Sequence, residues 1–244
     1  MYTSSLKWTV FICTALCFGG CSHQTSSISS VDELMDSSTV KIAQEFESSD
    51  EGFQEQGMEE AFEEVSSTSS VEGPTYIDGI LIVNKKYGLP QDYAPGVDPE
   101  AQEHVNALIQ EMQNEGLNVG WTTSNFRSYE YQTQLYNNYV ASYGQEAADT
   151  FSARPGFSEH QTGLAFDLTT STGELITDPV ESQWLLDHAA EYGFIVRYQE
   201  GKEAITGYQA EPWHLRYIGE RAGEIAASGL TLEEFLNAQG GDYQ

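Results

Sequence analysis

The sequence predicts an α+β domain over residues 76–244, and three observations carry that reading. Short apolar runs suited to strands are interleaved with stretches of helical period, without the regular strand–helix–strand alternation of a parallel sheet. Helix starts and stops are marked by Asp-Pro pairs and by glycines. The composition also changes near Tyr76, from Ser- and Glu-rich to aliphatic and aromatic.

The elements follow in order. Ile80-Leu81-Ile82-Val83 reads as a short buried strand. Asp98-Pro99 opens a helix in which Ala101, Val105, Leu108, Ile109 and Met112 share one face, and Gly116 ends it. Val119 to Ser124 is a strand candidate. A second helix starts near Ser128, carries Tyr131, Leu135, Tyr139 and Val140, and stops at Gly144. Leu164–Leu168 and Phe194–Arg197 read as strands, and between them Asp178-Pro179 starts a helix that runs to Gly193. Trp213–Tyr217 alternates apolar and polar residues as a strand does. Helical pieces close the chain at Ala222–Ala227 and Thr231–Ala238, the second with a Thr-x-x-Glu capping box.

The N-terminal third is organised differently. Lys7, an apolar run from Trp8 to Phe18 and then Gly19-Gly20-Cys21 describe a secretory signal over residues 1–21. The run is too short to span a bilayer as a helix. Its ending resembles the bacterial lipoprotein box, with Phe18 where that box usually has Leu, so Cys21 is expected to be the lipidated first residue of the mature chain. A plain signal peptide cut near Cys21 is the alternative. Cys13, Cys17 and Cys21 are the only cysteines, so the folded domain has no thiol for a disulfide or a metal. Residues 22–75 hold 13 acidic side chains against one basic residue, Lys41, with repeated Ser-Ser pairs and little apolar content. Such a segment cannot bury enough apolar surface to offset ordering entropy and reads as a disordered tether, with at most a weak helical piece around Met58–Val65. Over the whole chain 38 acidic residues face 10 basic ones, a formal charge of -28, which excludes binding driven by nucleic-acid phosphates.

Five histidines are present. His23 lies in the tether, His104 on the polar side of a helix and His188 on the 179-to-192 helix, and none of the three has the company of a site. His160 stands in Ser158-Glu159-His160-Gln161-Thr162-Gly163-Leu164-Ala165-Phe166-Asp167, and His214 in Glu211-Pro212-Trp213-His214. Two imidazoles and a carboxylate suffice for a three-ligand zinc site with an open fourth position. Gly163 and Ala165 leave the backbone room to turn so that His160 and Asp167 converge. Glu211, three residues before His214, is placed to take a proton from water activated by the metal. On spacing alone, His and Asp as ordinary hydrogen-bonded structure is the stronger reading.

The segments FRSYEYQ, SARPGFSEHQTGLAFDL, YGFIVRY, ITGY and EPWHLRYIG change that balance. They resemble the VanY-type zinc D-Ala-D-Ala carboxypeptidases, including the related L,D-carboxypeptidases of bacterial cell walls. The resemblance covers nearly all of Ile80 to Leu236. It implies a hedgehog/D-Ala-D-Ala-peptidase-like fold: a small antiparallel sheet flanked by helices, with zinc in a surface cleft.

Carried over by motif position, the resemblance implies His160, Asp167 and His214 as ligands of one Zn²⁺ and Glu211 as catalytic base and acid. Arg127, in FRSYEYQ, is implied as the group that stabilises the scissile carbonyl as it gains charge. Gln132, Ser152, Ser158 and Tyr198 match positions that contact the terminal D-Ala or its carboxylate. The implied activity removes C-terminal D-Ala from peptidoglycan stem peptides, D,D on pentapeptides or L,D on tetrapeptides, with the Gln132, Ser152, Ser158 and Tyr198 set closer to the L,D enzymes. A non-catalytic wall-binding lipoprotein and a wall endopeptidase are the competing readings. The expected setting is the outer face of the cytoplasmic membrane, lipid-anchored through Cys21 and facing the wall.

Overall fold

A computed structural model of the chain describes residues 73–243. The signal-type segment, Cys21, residues 22–72 of the expected tether and the weak helix expected around Met58–Val65 lie outside the described residues, as does His23. Thr75, the tether's last expected residue, already belongs to the first strand.

The described chain opens with a hairpin, β1 (Thr75–Ile77) against β2 (Ile80–Ile82). Its two-residue turn is Asp78-Gly79, both at positive φ, which suits the twist of a tight antiparallel hairpin. Next comes α1 (Pro99–Asn114), capped by the Asp98 carboxylate on the Ala101 amide, with Pro99 in the first turn. All five of its apolar positions named above are buried. The expected strand over Val119–Ser124 shrinks to β3 (Thr123–Ser124). Gly120 lies against the Thr170 carbonyl, where an added Cβ would come within 2.5 Å, so this stretch crosses its neighbour too closely to lie as a regular ladder.

Helix α2 (Tyr129–Tyr143) is capped by Ser128 and stopped by Gly144 at φ 82. A helix the sequence reading did not contain, α3 (Gln145–Phe151), follows at once. Then come β4 (Ala165–Leu168), α4 (Pro179–His188) and β5 (Phe194–Tyr198). The helix expected to run to Gly193 is α-helical only to His188. A 3₁₀ turn, Ala189–Tyr192, completes it before Gly193 ends it in the left-handed region. A short α5 (Glu203–Thr206) precedes β6 (Glu211–Tyr217), and α6 (Ala222–Ser228) and α7 (Leu232–Leu236) close the fold. The capping box of Thr231 and Glu234 is formed at α7.

Strands β3, β4, β6 and β5 make one antiparallel sheet in that order. Successive side chains on a strand point to opposite faces. Phe166, Leu168, Phe194, Val196, Trp213, Leu215 and Tyr217 pack on one face with α1 and with Trp184 and Leu185 of α4. Ile195, on the alternate face, joins Ile80 and Ile82 of β2 with Ala222, Ile225, Leu232 and Leu236 of α6 and α7. The charged and imidazole side chains among the alternate positions of β4, β5 and β6 are Asp167, Arg197, His214 and Arg216, and all four are buried. Polar residues buried between a sheet and its covering helices need partners or a function. Helices α2 and α3 hold a smaller cluster of their own, Leu135, Tyr136, Tyr139 and Ala148.

Candidate metal centre

His160 sits in a single 3₁₀ turn, Glu159–Thr162, that feeds β4. Gly163 ends the turn at φ 71 and lies against the Gly96 carbonyl, where no side chain fits. The His160 Nδ1 donates to the Asn125 carbonyl oxygen at 2.7 Å, which turns Nε2 towards Asp167. Asp167 is on β4, and the ladder places it opposite His214 of β6. Its Oδ2 is 3.1 Å from His160 Nε2 and its Oδ1 is 3.1 Å from His214 Nδ1. The other nitrogen of His214, Nε2, donates to Glu159 Oε2 at 3.2 Å. Each imidazole therefore has one nitrogen held by an acceptor and the other turned towards the same carboxylate.

Donor atoms of His160, Asp167 and His214 lie within 4.8 Å of one another, and the three residues are buried. His160 Nε2 and Asp167 Oδ1 complete no hydrogen bond, although buried polar atoms normally do. Two imidazole nitrogens and a carboxylate oxygen, converging, with the His160 nitrogen and the Asp167 oxygen unsatisfied, are a donor set that fits zinc. The outer hydrogen bonds to Asn125 and Glu159 are of the kind that orient metal-ligating histidines.

The electrostatics agree with a cation site. Burial, with Arg127 nearby, lowers the His160 pKa to about 4, so this imidazole is neutral near pH 7. Burial opposes ionisation of Asp167, yet His160 and His214 beside it hold its pKa well below the usual carboxylate range. Burial would likewise lower His214, but Asp167 and Glu159 outweigh it and raise the pKa to about 9. A proton and a metal cation compete for that same negative surrounding.

Glu211 begins β6 with its Oε2 3.6 Å from His214 Nδ1. Arg127 lies just before the N-cap of α2, its amide donating to the His160 carbonyl at 3.2 Å and its Nη2 to Asp167 Oδ2 at 3.2 Å. A β-bulge between Val196 and Tyr198 brings Tyr198 into register with Glu211. The Tyr198 ring lies tilted against that of His214, with centroids 4.8 Å apart. Gln132 of α2 donates to the Ala153 carbonyl at 2.7 Å and approaches Ser152 Oγ at 3.4 Å.

All nine residues singled out in the sequence, Arg127, Gln132, Ser152, Ser158, His160, Asp167, Tyr198, Glu211 and His214, line one cleft. Its volume is about 720 Å³ counted with the open mouth, and Tyr139, Phe151, Tyr208 and Trp213 add apolar wall. His104 and His188 stay outside it. His104 binds the Tyr192 carbonyl through Nδ1, and His188 pairs with Glu191.

Residues 95–220, just over half of the chain, match the family model VanY, D-alanyl-D-alanine carboxypeptidase. The chain belongs to the VanY family. A D-alanyl-D-alanine carboxypeptidase of Enterococcus faecalis is 30% identical over 200 residues, 72% of this chain and 72% of the relative. Among solved structures, the LdcB LD-carboxypeptidase, described for its peptidoglycan recognition, is 56% identical with a TM-score of 0.66. The match covers 68% of this chain and 89% of that one. The vancomycin-resistance D,D-pentapeptidase VanY, solved as a variant in complex with Zn(II), is 32% identical with a TM-score of 0.57, covering 64% of this chain and 97% of that one. This VanY-family chain is thus a carboxypeptidase with the small helix-flanked antiparallel sheet of those peptidases. Its matched region contains all nine cleft residues but stops before α6 and α7.

Glu159 is the charged cleft residue that sequence reasoning missed. It is 2% exposed, and besides His214 it accepts from Arg197 Nε at 2.9 Å and Arg216 Nη1 at 2.8 Å. Arg197 in turn makes a forked pair with Glu233 of α7, and Glu233 Oε1 accepts from Asn84 at 2.9 Å. Burial opposes the Glu159 charge, but Arg197, Arg216 and His214 keep its pKa well below the carboxylate range. The signal was present in the sequence: Arg197 and Arg216 each stand between apolar neighbours of a strand, and an arginine buried there requires an acid.

Proposed function

We propose that this chain is a zinc-dependent carboxypeptidase that removes the C-terminal D-Ala from peptidoglycan stem peptides, preferring the L,D bond of tetrapeptides. One observation carries the reading: the donors of His160, Asp167 and His214 converge within 4.8 Å in a cleft that also holds Glu211 and Arg127. When bound, zinc supplies the Lewis acidity that lets water attack a peptide carbonyl at neutral pH. Glu211 takes a proton from the attacking water and delivers it to the nitrogen of the departing D-Ala. Arg127, held by its own amide and by Asp167, donates to the carbonyl oxygen as negative charge builds there. Gln132, Ser152, Ser158 and Tyr198 hold the peptide end. With the Gln132 Nε2 tied to Ala153, its buried Oε1 has no hydrogen bond and is an acceptor for the substrate.

The L,D preference is supported by the 56% identity to LdcB against 32% to the D,D-pentapeptidase. Mass spectrometry of purified tetra- and pentapeptide muropeptides incubated with the zinc-loaded protein tests it. Loss of one alanine from the tetrapeptide is expected. Loss from the pentapeptide alone makes the enzyme D,D, larger fragments make it an endopeptidase, and no change leaves a non-catalytic wall protein. Gly19-Gly20-Cys21 supports lipid attachment at Cys21 and a place on the outer face of the cytoplasmic membrane. Palmitate labelling of the wild type that survives in Cys21→Ala would overturn that.

A further inference from the structure

The stretch from Gly240 to Tyr243 lies outside the region matched to the family and lines no part of the cleft itself, yet it is bonded to the loops that do. Two loops meet there. One, after α3, supplies Ser152, Ala153 and Ser158 to the cleft, and the other, after α5, supplies Tyr208 and Gln209. The Tyr243 hydroxyl accepts from the Arg154 amide of the first loop at 2.8 Å and lies 3.3 Å from the Tyr208 hydroxyl of the second. Its ring is covered by the Arg154 guanidinium at 4.1 Å and meets the Phe157 ring edge-on at 5.4 Å.

Lys85 locks the junction from beneath. Its ammonium, on a side chain with no solvent exposure, donates to the Gly207 carbonyl at 2.5 Å and to Asp242 at 2.9 Å. It also sits 4.6 Å from the Tyr208 ring and 5.1 Å from that of Tyr243, a pair of cation–π contacts. Gly241 donates to the Ile205 carbonyl at 2.7 Å, and a Cβ on Gly207 would come within 2.7 Å of the Gly241 oxygen, so the strap is pressed flat against α5. Among the described residues the strap touches none of the three candidate metal ligands.

We propose that Tyr243 is a positioning residue for substrate: bridging Arg154 and Tyr208, it holds the two loops at the separation that fits the peptide. The proposal rests on the reading that this cleft takes a stem peptide. It separates the strap's role from that of the metal, because loosening the wall alters peptide binding while the ligand geometry is untouched.

The test compares the zinc-loaded full chain with Tyr243→Phe, which keeps the ring and removes only the hydroxyl contacts. On the tetrapeptide, KM is expected to rise roughly three- to tenfold, the range of a lost hydrogen bond, with kcat and zinc affinity by chelator competition unchanged within about twofold. Deuterium exchange at the Arg154 amide should quicken. Tyr243→Ala should raise KM further, and if it fails to fold, the Phe variant still decides. An unchanged KM in folded Tyr243→Phe overturns the proposal, as does a parallel fall in zinc affinity, which marks a purely structural part. Unchanged Arg154 exchange overturns the bridge itself. A wild type that releases no alanine from any stem peptide instead sinks the functional reading.

Discussion

Asp167 and His214 are cross-strand partners in the β4–β6 ladder, and their side chains meet with Oδ1 3.1 Å from Nδ1. Side chains directly opposite on one face of an antiparallel pair are brought together by the register alone. Two of the three candidate ligands are therefore positioned by backbone hydrogen bonds that hold regardless of a metal. His160 joins them from the 3₁₀ turn at the head of β4, held by the Asn125 carbonyl.

Asp167→Asn keeps the shape and the ladder but removes the charge between the imidazoles. The folded variant should give up zinc to a chelator that leaves the wild type loaded, and activity should vanish with it. Retention of a full zinc equivalent, by elemental analysis, would show that the cluster is not the metal site.

Glu211→Gln should fold and bind zinc as the wild type does, because Glu211 stands beside the three donors and not among them. Its kcat should fall by about 10²- to 10⁴-fold, the usual contribution of a positioned general acid–base. A muropeptide assay at the wild-type rate would remove Glu211 from the reaction.

Glu159→Gln exchanges the acceptor that holds His214 Nε2 and leaves two buried arginines short of charge. Zinc affinity should drop by about 10- to 100-fold, as for other outer hydrogen-bond partners of metal ligands. Stability should fall by about 3–5 kcal/mol, the cost of breaking a buried ion pair from one side. Denaturant melts and chelator competition on the same preparation read both; a variant equal to the wild type in each would contradict the network.

The acid limb of stability should depend on Glu233. Burial opposes its ionisation, and Arg197 outweighs burial, so its folded-state pKa lies below the ordinary value of 4.5. A carboxylate with a depressed folded pKa adds stability that is fully present above 4.5 and is lost as pH falls through the lower folded value. Tm measured from pH 7 down to about 3 should therefore fall more steeply in the wild type than in Glu233→Gln. Parallel curves would assign the acid sensitivity elsewhere.

Much of the fold was legible because its signals are local. Asp98, Ser128 and Thr231 cap their helices as read, and Gly144 and Gly193 end theirs. What escaped was set by neighbours distant in sequence. The strand over Val119–Ser124 is cut short by the close approach of Thr170 to Gly120, which no local pattern announces. The first strand of the hairpin escaped although Asp78-Gly79 is a strong turn signal, because three residues are too few to show an alternation. At the site, motif residues could be gathered from four short segments, and the structure brings all nine into one cleft. Glu159 was overlooked because its meaning depends on Arg197 and Arg216, one on each of two separate strands.

The chain of contacts from His214 through Glu159 and Arg197 to Glu233 also sets an order of events in the life of the molecule. His160 and Asp167 lie seven positions apart and emerge from synthesis almost together, yet they offer only two donors. The third comes at residue 214, and the network that fixes its ring runs on to Glu233, whose other partner, Asn84, is 149 positions earlier. The fully braced arrangement of the three donors is therefore a late product of folding, complete once Glu233 of α7 has docked beside Arg197 and Asn84.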